Sequence, residues 1–237
     1  MKTRKVLCTL ACLFCITISP EALIGGAETA REPAVDLGSF VKEIMKLKMA
    51  GNRIELAMWF PFEFYLEANL AQSVQTRQEV EKGIAFIKPY LTVIVQCSVN
   101  QPDGSSLYSS EREVRSRAVL VLPDNTEIRP LDKVSPVVAA TVAAMKAMMA
   151  SEGDPGGANL HVLVFPSKDK NGKWVVETNK KSKLKLLLKG NGKFDDSIFT
   201  WHTPFDAITS VPPCQKCKEP VSAKWSFCPW CGAKLGE

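Results

Sequence analysis

Four cysteines near the C-terminus have the residue type and spacing of a metal site. Cys214 and Cys217 form one Cys-x-x-Cys pair, and Cys228 and Cys231 form a second pair after ten intervening residues. Each pair can present two thiolates from one tight turn, and a short hairpin can bring the two turns together around one ion. Zinc suits four soft thiolates and requires no redox chemistry. The sequence therefore predicts one zinc ion bound by these four side chains.

The residues around the second pair resemble those of a known small domain. The run from Phe227 to Gly232 reads Phe-Cys-Pro-Trp-Cys-Gly. It looks like the second knuckle of the short bacterial zinc ribbons, which are four-cysteine domains at the ends of bacterial proteins. The first knuckle, from Cys214 to Lys218, departs from that pattern because it lacks the usual proline and glycine. The resemblance covers residues 211–235 and implies that the tail, residues 211–237, is a zinc ribbon with a structural zinc ion.

Disulfide bonds are the alternative to zinc at this cluster. Outside the cytoplasm four cysteines could pair as two disulfides, whereas the paired spacing and the knuckle residues favour a metal. A closed set of four thiolates indicates a structural ion, because a catalytic zinc keeps one open position. About 25 residues are too few to bury an adequate core. We therefore expect metal binding to fold this tail and chelation to unfold it.

The first 27 residues have the pattern of a signal peptide. Three basic residues precede an apolar run from Val6 to Ile18, and small residues follow up to Ala27. The run would rise only about 20 Å as a helix, which is short for a bilayer span. We predict that residues 1–27 are removed and that the body is exported to the periplasm or the extracellular space. The alternative is an uncleaved segment that anchors the protein in the membrane.

Residues 35–210 combine helical and strand patterns and are predicted to form one α+β domain. The predicted helices cover 40–50, 77–88 and 136–153. The predicted strands cover 54–66, 91–99, 114–122, 127–131, 160–165, 173–178, 183–188 and 198–203. Hairpin signals lie at 170–173 and 190–192. Because helices and strands alternate irregularly and several strands are joined by hairpins, we expect a mixed, largely antiparallel sheet packed against two or three helices.

Two features of the predicted strands bear on function. Residues 54–66 concentrate aromatic side chains, which could line a ligand-binding or membrane-contacting face. Alternating aromatics more often form one face of a core, and we favour that interpretation. Pro61 has no amide hydrogen to donate, so this strand is expected at an edge or with a bulge. Cys97 lies on the apolar face of strand 91–99 and is expected to pack there as a small hydrophobe.

A basic segment is the main charge feature. Between Lys168 and Lys193 there are nine lysines against two acidic residues, Asp169 and Glu177, which gives a local charge of +7. A basic sheet face could attract nucleic acid or an anionic polymer of the cell envelope. Lysines also keep exposed strands from pairing with other chains. We favour the second interpretation because the segment lacks an arginine cluster and any nucleic-acid-binding motif.

Composition and motifs favour a binding protein over an enzyme. The 237 residues are 46% hydrophobic and 23% charged with a net charge of +5, which excludes a disordered chain and a protein with many membrane spans. His161 and His202 are the two histidines, and neither falls in a nucleophile, metalloprotease or nucleotide-binding motif. We predict an exported binding or assembly module with an unidentified protein or envelope partner. The alternative is a hydrolase or transferase whose site is assembled in space.

Overall fold

The computed structural model of the chain describes residues 35–151, 155–209 and 211–235. The predicted signal peptide, residues 1–27, lies outside the described residues. Within the described ranges no helix has the length and apolar character needed to cross a membrane.

The larger sheet is built around one long central strand. Its strands are β1 (Met45–Ala50), β2 (Arg53–Phe60), β3 (Tyr90–Asn100), β4 (Ser106–Tyr108) and β7 (His161–Pro166). All pairs are antiparallel, in the order β1-β2-β3. The eleven residues of β3 are long enough for its other edge to pair with both β7 and β4. The sheet therefore has β2 and β3 buried at its centre and β1 at an exposed edge.

The smaller sheet is formed mainly by the second half of the chain. Its strands are β5 (Ala118–Val121), β6 (Glu127–Ile128), β8 (Ser182–Leu188) and β9 (Ser197–Thr203). They pair antiparallel in the order β6-β5-β8-β9. Leu184, Leu186 and Leu188 of β8 are buried, while Lys183 and Lys185 lie on the opposite, more exposed face. The alternation predicted for this strand is confirmed.

Six helices flank the sheets in the described part of the chain. They are α1 (Leu37–Ile44), α2 (Phe62–Leu70), α3 (Arg77–Gly83), α4 (Glu111–Arg117), α5 (Pro136–Ser151) and α6 (Pro155–Ala158), with 3₁₀ turns at Ala85–Ile87 and Asp206–Ile208. The α+β class and the antiparallel pairing are confirmed, with two sheets and six helices where one sheet and two or three helices were expected. The capping box that begins α3 is also confirmed, since Thr76 and Glu79 each accept a hydrogen bond from the other's backbone N–H.

Large aromatic side chains fill the core. Trp59 on β2 packs edge-on against Trp201 on β9, with ring centroids 6.2 Å apart, and lies 5.3 Å from Phe205. Phe40 and Phe60 contact Phe64 on α2 at 5.4 and 5.1 Å. These contacts tie the two sheets and two helices into one body, and among the described residues none after Ile208 belongs to this hydrophobic core.

Two predicted boundaries were wrong. Residues 45–50 form β1 instead of the second half of a helix, because Gly51 and Asn52 make a hairpin turn to β2 in place of a helix end. Gly51 has a φ of 61°, which suits glycine in such a turn. Residues 62–66 are helical instead of extended, because the strand stops at Pro61 and α2 begins after it.

Two predicted strands were also wrong in part. Residues 111–117 form α4, so the strand predicted from Val114 begins only at Ala118. Residues 173–178 contain a single bridge, between Lys168 and Trp174, in place of a strand. The turn predicted at 170–173 is nevertheless present, since Gly172 donates to the carbonyl of Asp169 at 3.0 Å.

Candidate metal centre

The four C-terminal cysteines lie together as predicted. Their Sγ atoms are all within 4.8 Å of one another, with Cys214 and Cys231 at 3.7 Å and Cys217 and Cys228 at 3.6 Å. Four sulfurs bound tetrahedrally at about 2.3 Å from zinc would be about 3.8 Å apart. A disulfide requires about 2.05 Å. The donor set and its spacing therefore fit one four-coordinate metal ion.

Two backbone turns with matching hydrogen bonds position the thiols. The carbonyl of Cys214 accepts from Lys218 N at 2.8 Å, and that of Cys228 accepts from Gly232 N at 2.9 Å. The amides of Cys214 and Cys228 donate to carbonyls five residues ahead, at 2.9 and 2.8 Å. Lys218 and Gly232 occupy equivalent positions and have φ values of 63° and 70°. The first turn therefore has the same geometry as the second, although a lysine replaces the glycine.

Little besides the cysteines is buried in this segment. Cys214 and Cys228 are each 2% exposed, and Cys217 and Cys231 are partly buried. The regular pairing described within residues 211–235 is one bridge between Phe227 and Lys234. The apolar interior of the segment is therefore small for a unit that folds by burial alone.

The thiols of the cluster differ in acidity when no metal is bound. Hydrogen bonds from the backbone N–H groups of Cys217 and Lys216 lower the pKa of Cys214 to about 6. The backbone N–H of Glu219 acts in the same direction on Cys217, but burial and the three neighbouring thiols outweigh it and raise that pKa to about 12. A metal ion bound by all four thiolates would require Cys217 to lose its proton.

A polar contact fixes the segment to the α+β body. Lys224, in the loop between the two turns, forms ion pairs with Glu43 of α1 and, at 3.2 Å, with Asp206. Ser222 Oγ donates to the Asp206 carboxylate at 2.8 Å, and the amide of Ala223 donates to it at 3.1 Å. These contacts hold the loop, and so both cysteine turns, against the end of the body.

Three aromatic side chains of the segment face solvent. Trp225 is 39% exposed, Phe227 61% and Trp230 55%. The rings of Trp225 and Trp230 pack edge-on with centroids 5.6 Å apart. We refer to Trp225, Phe227 and Trp230 as the ribbon patch. Their positions next to Cys228 and Cys231 make the shape of this patch dependent on the second cysteine turn.

A second group of polar side chains is buried between the sheets. Glu55 on β2 accepts hydrogen bonds from Arg117 at 2.8 Å and from Ser197. Cys97 lies opposite Glu55 in the strand register, with Sγ 3.7 Å from Glu55 and 3.6 Å from Arg117. Burial and then the Glu55 charge raise the pKa of Cys97 to about 12, so this thiol is a poor nucleophile. The group joins the two sheets, and the strand pattern alone did not predict its charged members.

The histidines are separate from the cysteine cluster. His161 is buried on β7, with Nε2 2.8 Å from the carbonyl of Ser109. His202 lies on the exposed face of β9, where desolvation and then nearby lysines lower its pKa. Within the part of the chain that the structure describes, the four cysteines are the only group of three or more histidine, cysteine or acidic side chains placed to hold a metal ion.

Comparisons with known proteins leave the chain without a family. No family model matches it, and no curated protein matches it. Among solved structures it is similar to a DUF4426 family protein from Pseudomonas aeruginosa PAO1, with 10% sequence identity and a TM-score of 0.28. The likeness covers 68% of this chain and 93% of that chain. A similarity of this size carries no argument about the fold or the function.

Proposed function

We propose that the protein is an exported binding or assembly module of the bacterial cell envelope, and that its tail, residues 211–237, is a zinc ribbon holding one structural zinc ion. The cysteine cluster supports the zinc part of this proposal, because the Sγ separations of 3.7 and 3.6 Å match those expected around a tetrahedral zinc ion. Four protein thiolates fill the coordination shell and leave no position for a substrate or an activated water. A zinc ion here would stabilise the segment and take no part in a reaction.

The ribbon patch supports a role in binding. Aromatic residues are enriched where protein surfaces meet, and tryptophan is enriched among the residues that contribute most to binding. Zinc would fix the turn that carries Trp230 and the strand pairing that carries Phe227. We therefore propose that the ion maintains this patch as a contact for an envelope partner, while the body carries the ribbon.

Native mass spectrometry of the protein produced in a bacterium tests the zinc and the export together. We expect the exported species to have the mass of the chain without residues 1–27 plus one zinc ion. A metal-free species four hydrogens lighter than the reduced chain would show two disulfides and overturn the zinc proposal. A membrane-bound species that retains residues 1–27 would support the anchor in place of export.

Two single cysteine variants provide the matched control. Cys228→Ser removes one of the four thiolates and is expected to abolish stoichiometric zinc. Cys97→Ser changes a cysteine of the body and is expected to retain one zinc per chain. Equal zinc content in both variants would show that the cluster does not bind the metal.

A further inference from the structure

The ribbon patch combines aromatic side chains of the kind that lie at membrane surfaces. Trp225 and Trp230 contact each other edge-on, and Phe227 is the most exposed of the three. Exposed clusters of apolar side chains mark sites of contact with a protein or a membrane. Tryptophan is enriched at the membrane–water interface, because its ring is apolar and its N–H can remain hydrated. The charges and the backbone around the patch bear on which partner it contacts.

Lysines flank the patch on two sides. Lys234 lies opposite Phe227 in an antiparallel bridge. The hydrogen bonds on either side of this bridge make it a non-hydrogen-bonded pair, whose side chains lie close together on one face. On the other side, Lys181 Nζ donates to the carbonyl of Trp225 at 3.3 Å. Residues 220–235 contain no aspartate or glutamate. The rim of the patch is therefore basic and complementary to anionic headgroups.

The charge of the metal centre reduces this attraction. Residues 211–235 contain four lysines and one glutamate, and their charge of +3 would fall to +1 with the −2 of zinc and four thiolates. One of these lysines, Lys224, is engaged by Glu43 and Asp206. Lys181 adds a charge from the basic segment between Lys168 and Lys193. We therefore assign most of the affinity for a partner to the aromatic rings and a smaller share to the lysines at the rim.

The backbone beside the rings is suited to contact with lipid, since acyl chains offer no hydrogen bonds. The N–H of Trp225 donates to the carbonyl of Ser222 at 3.1 Å. The N–H of Cys228 donates to Ala233 at 2.8 Å, and that of Gly232 donates to Cys228 at 2.9 Å. These groups are satisfied within the segment. Shallow insertion of the rings would therefore leave them paired and avoid the cost of burying free polar groups.

We propose that the ribbon patch docks on a phospholipid surface that carries anionic headgroups. This inference rests on the proposed function, because it takes the patch as the contact surface that zinc maintains. The rings of Trp225, Phe227 and Trp230 enter the interfacial region, and Lys181 and Lys234 lie at the level of the headgroup phosphates. Three partly exposed rings offer less apolar surface than an acyl anchor, so binding is weak and reversible.

Sedimentation with vesicles tests the proposal on the chain from residue 28 onward, which cannot attach through the predicted signal peptide. The probes are vesicles of phosphatidylcholine alone and vesicles that also contain about 30% phosphatidylglycerol. We expect saturable binding to the anionic vesicles and several-fold weaker binding to the neutral ones. Brominated acyl chains should quench the fluorescence of Trp225 and Trp230. If a chain holding one zinc ion binds neither vesicle, the lipid proposal is overturned and the zinc proposal stands.

Two tryptophans of similar exposure provide the matched control. Trp230 is 55% exposed, and Trp174 on the body is 49% exposed. Trp230→Ala should weaken binding to the anionic vesicles about tenfold, whereas Trp174→Ala should change it by less than about twofold. Equal effects of the two variants would show that the ribbon patch is not the docking surface. Zinc content is measured on the same samples, so vesicle binding by a metal-free chain with two disulfides would contradict the zinc proposal alone.

Discussion

The body and the ribbon differ in where they place their aromatic side chains. In the body Trp59, Trp201 and Phe205 are at most 1% exposed and join the two sheets, whereas in the ribbon Trp225, Phe227 and Trp230 are 39–61% exposed. The body is large enough to be stabilised by burying apolar area. The ribbon is too small for that, so it buries its cysteines and leaves its aromatic rings in solvent. Under the proposed zinc binding, coordination would leave these aromatic side chains free for contact with a partner.

Removal of the metal is the strongest test of this difference between the body and the ribbon. Zinc coordination by a small four-ligand domain contributes on the order of 10 kcal/mol, so a strong chelator should unfold residues 211–235 and leave the body folded. We expect hydrogen exchange to show loss of protection at the amides of Lys218 and Gly232, with protection retained in β3. Simultaneous loss of protection in β3 would contradict the independence of the body.

Thiol reactivity in the same experiment distinguishes the two regions chemically. After chelation the four ribbon cysteines should react with a disulfide reagent at pH 8. Cys97 should remain unreacted, because a pKa of about 12 leaves it protonated at that pH. Rapid reaction of Cys97 in the folded body would show that its burial between Glu55 and Arg117 is transient.

A pair of tryptophan variants compares the two uses of the aromatic ring. Trp201 is 1% exposed and its indole N–H donates to the carbonyl of Ile44 at 2.5 Å. Trp201→Ala should therefore lower the free energy of unfolding by about 3–5 kcal/mol, as measured by urea denaturation. Trp230→Ala should change it by less than about 0.5 kcal/mol. A large loss of stability in Trp230→Ala would mean that the ribbon patch is structural.

The clustering of the four cysteines was predictable from sequence because the members of each pair are close in the chain. Two pairs of cysteines, each three residues apart, fix both the donor set and the turns that present it. The partners of Cys97 were not predictable in the same way. Glu55 lies 42 residues away in sequence and Arg117 lies 20 residues away, and only the strand register and the packing of the sheets bring them together.

The fold was predictable where a local pattern had one physical solution. The alternation in β8 and the capping box of α3 each determine their element within a few residues. The Gly51-Asn52 sequence is compatible with two local structures, because a glycine of positive φ can either end a helix or form a hairpin turn. The hairpin forms because residues 45–50 pair with β2. The aromatic run from β2 into α2 was ambiguous for a similar reason, because buried residues on both elements continue the same hydrophobic pattern.

The smallest expected effect concerns the two equivalent turn positions of the ribbon. A Cβ added at Gly232 would meet nothing within 4 Å, so Gly232→Ala should destabilise the metal-bound ribbon only through its positive φ, by about 1 kcal/mol. Lys218 already accepts that strain, so Lys218→Gly should stabilise the ribbon by about 0.5 kcal/mol, net of the greater entropy of the unfolded chain. Competition with a chelator should show weaker zinc binding in the first variant and slightly tighter binding in the second.

Lys216→Gly is the matched control for Lys218→Gly. Lys216 is not among the residues with positive φ, so glycine relieves no strain there and should weaken zinc binding. If Lys218→Gly weakened zinc binding as much as Lys216→Gly, the two cysteine turns would not be equivalent, and the first would be held by its lysine side chain instead of its backbone.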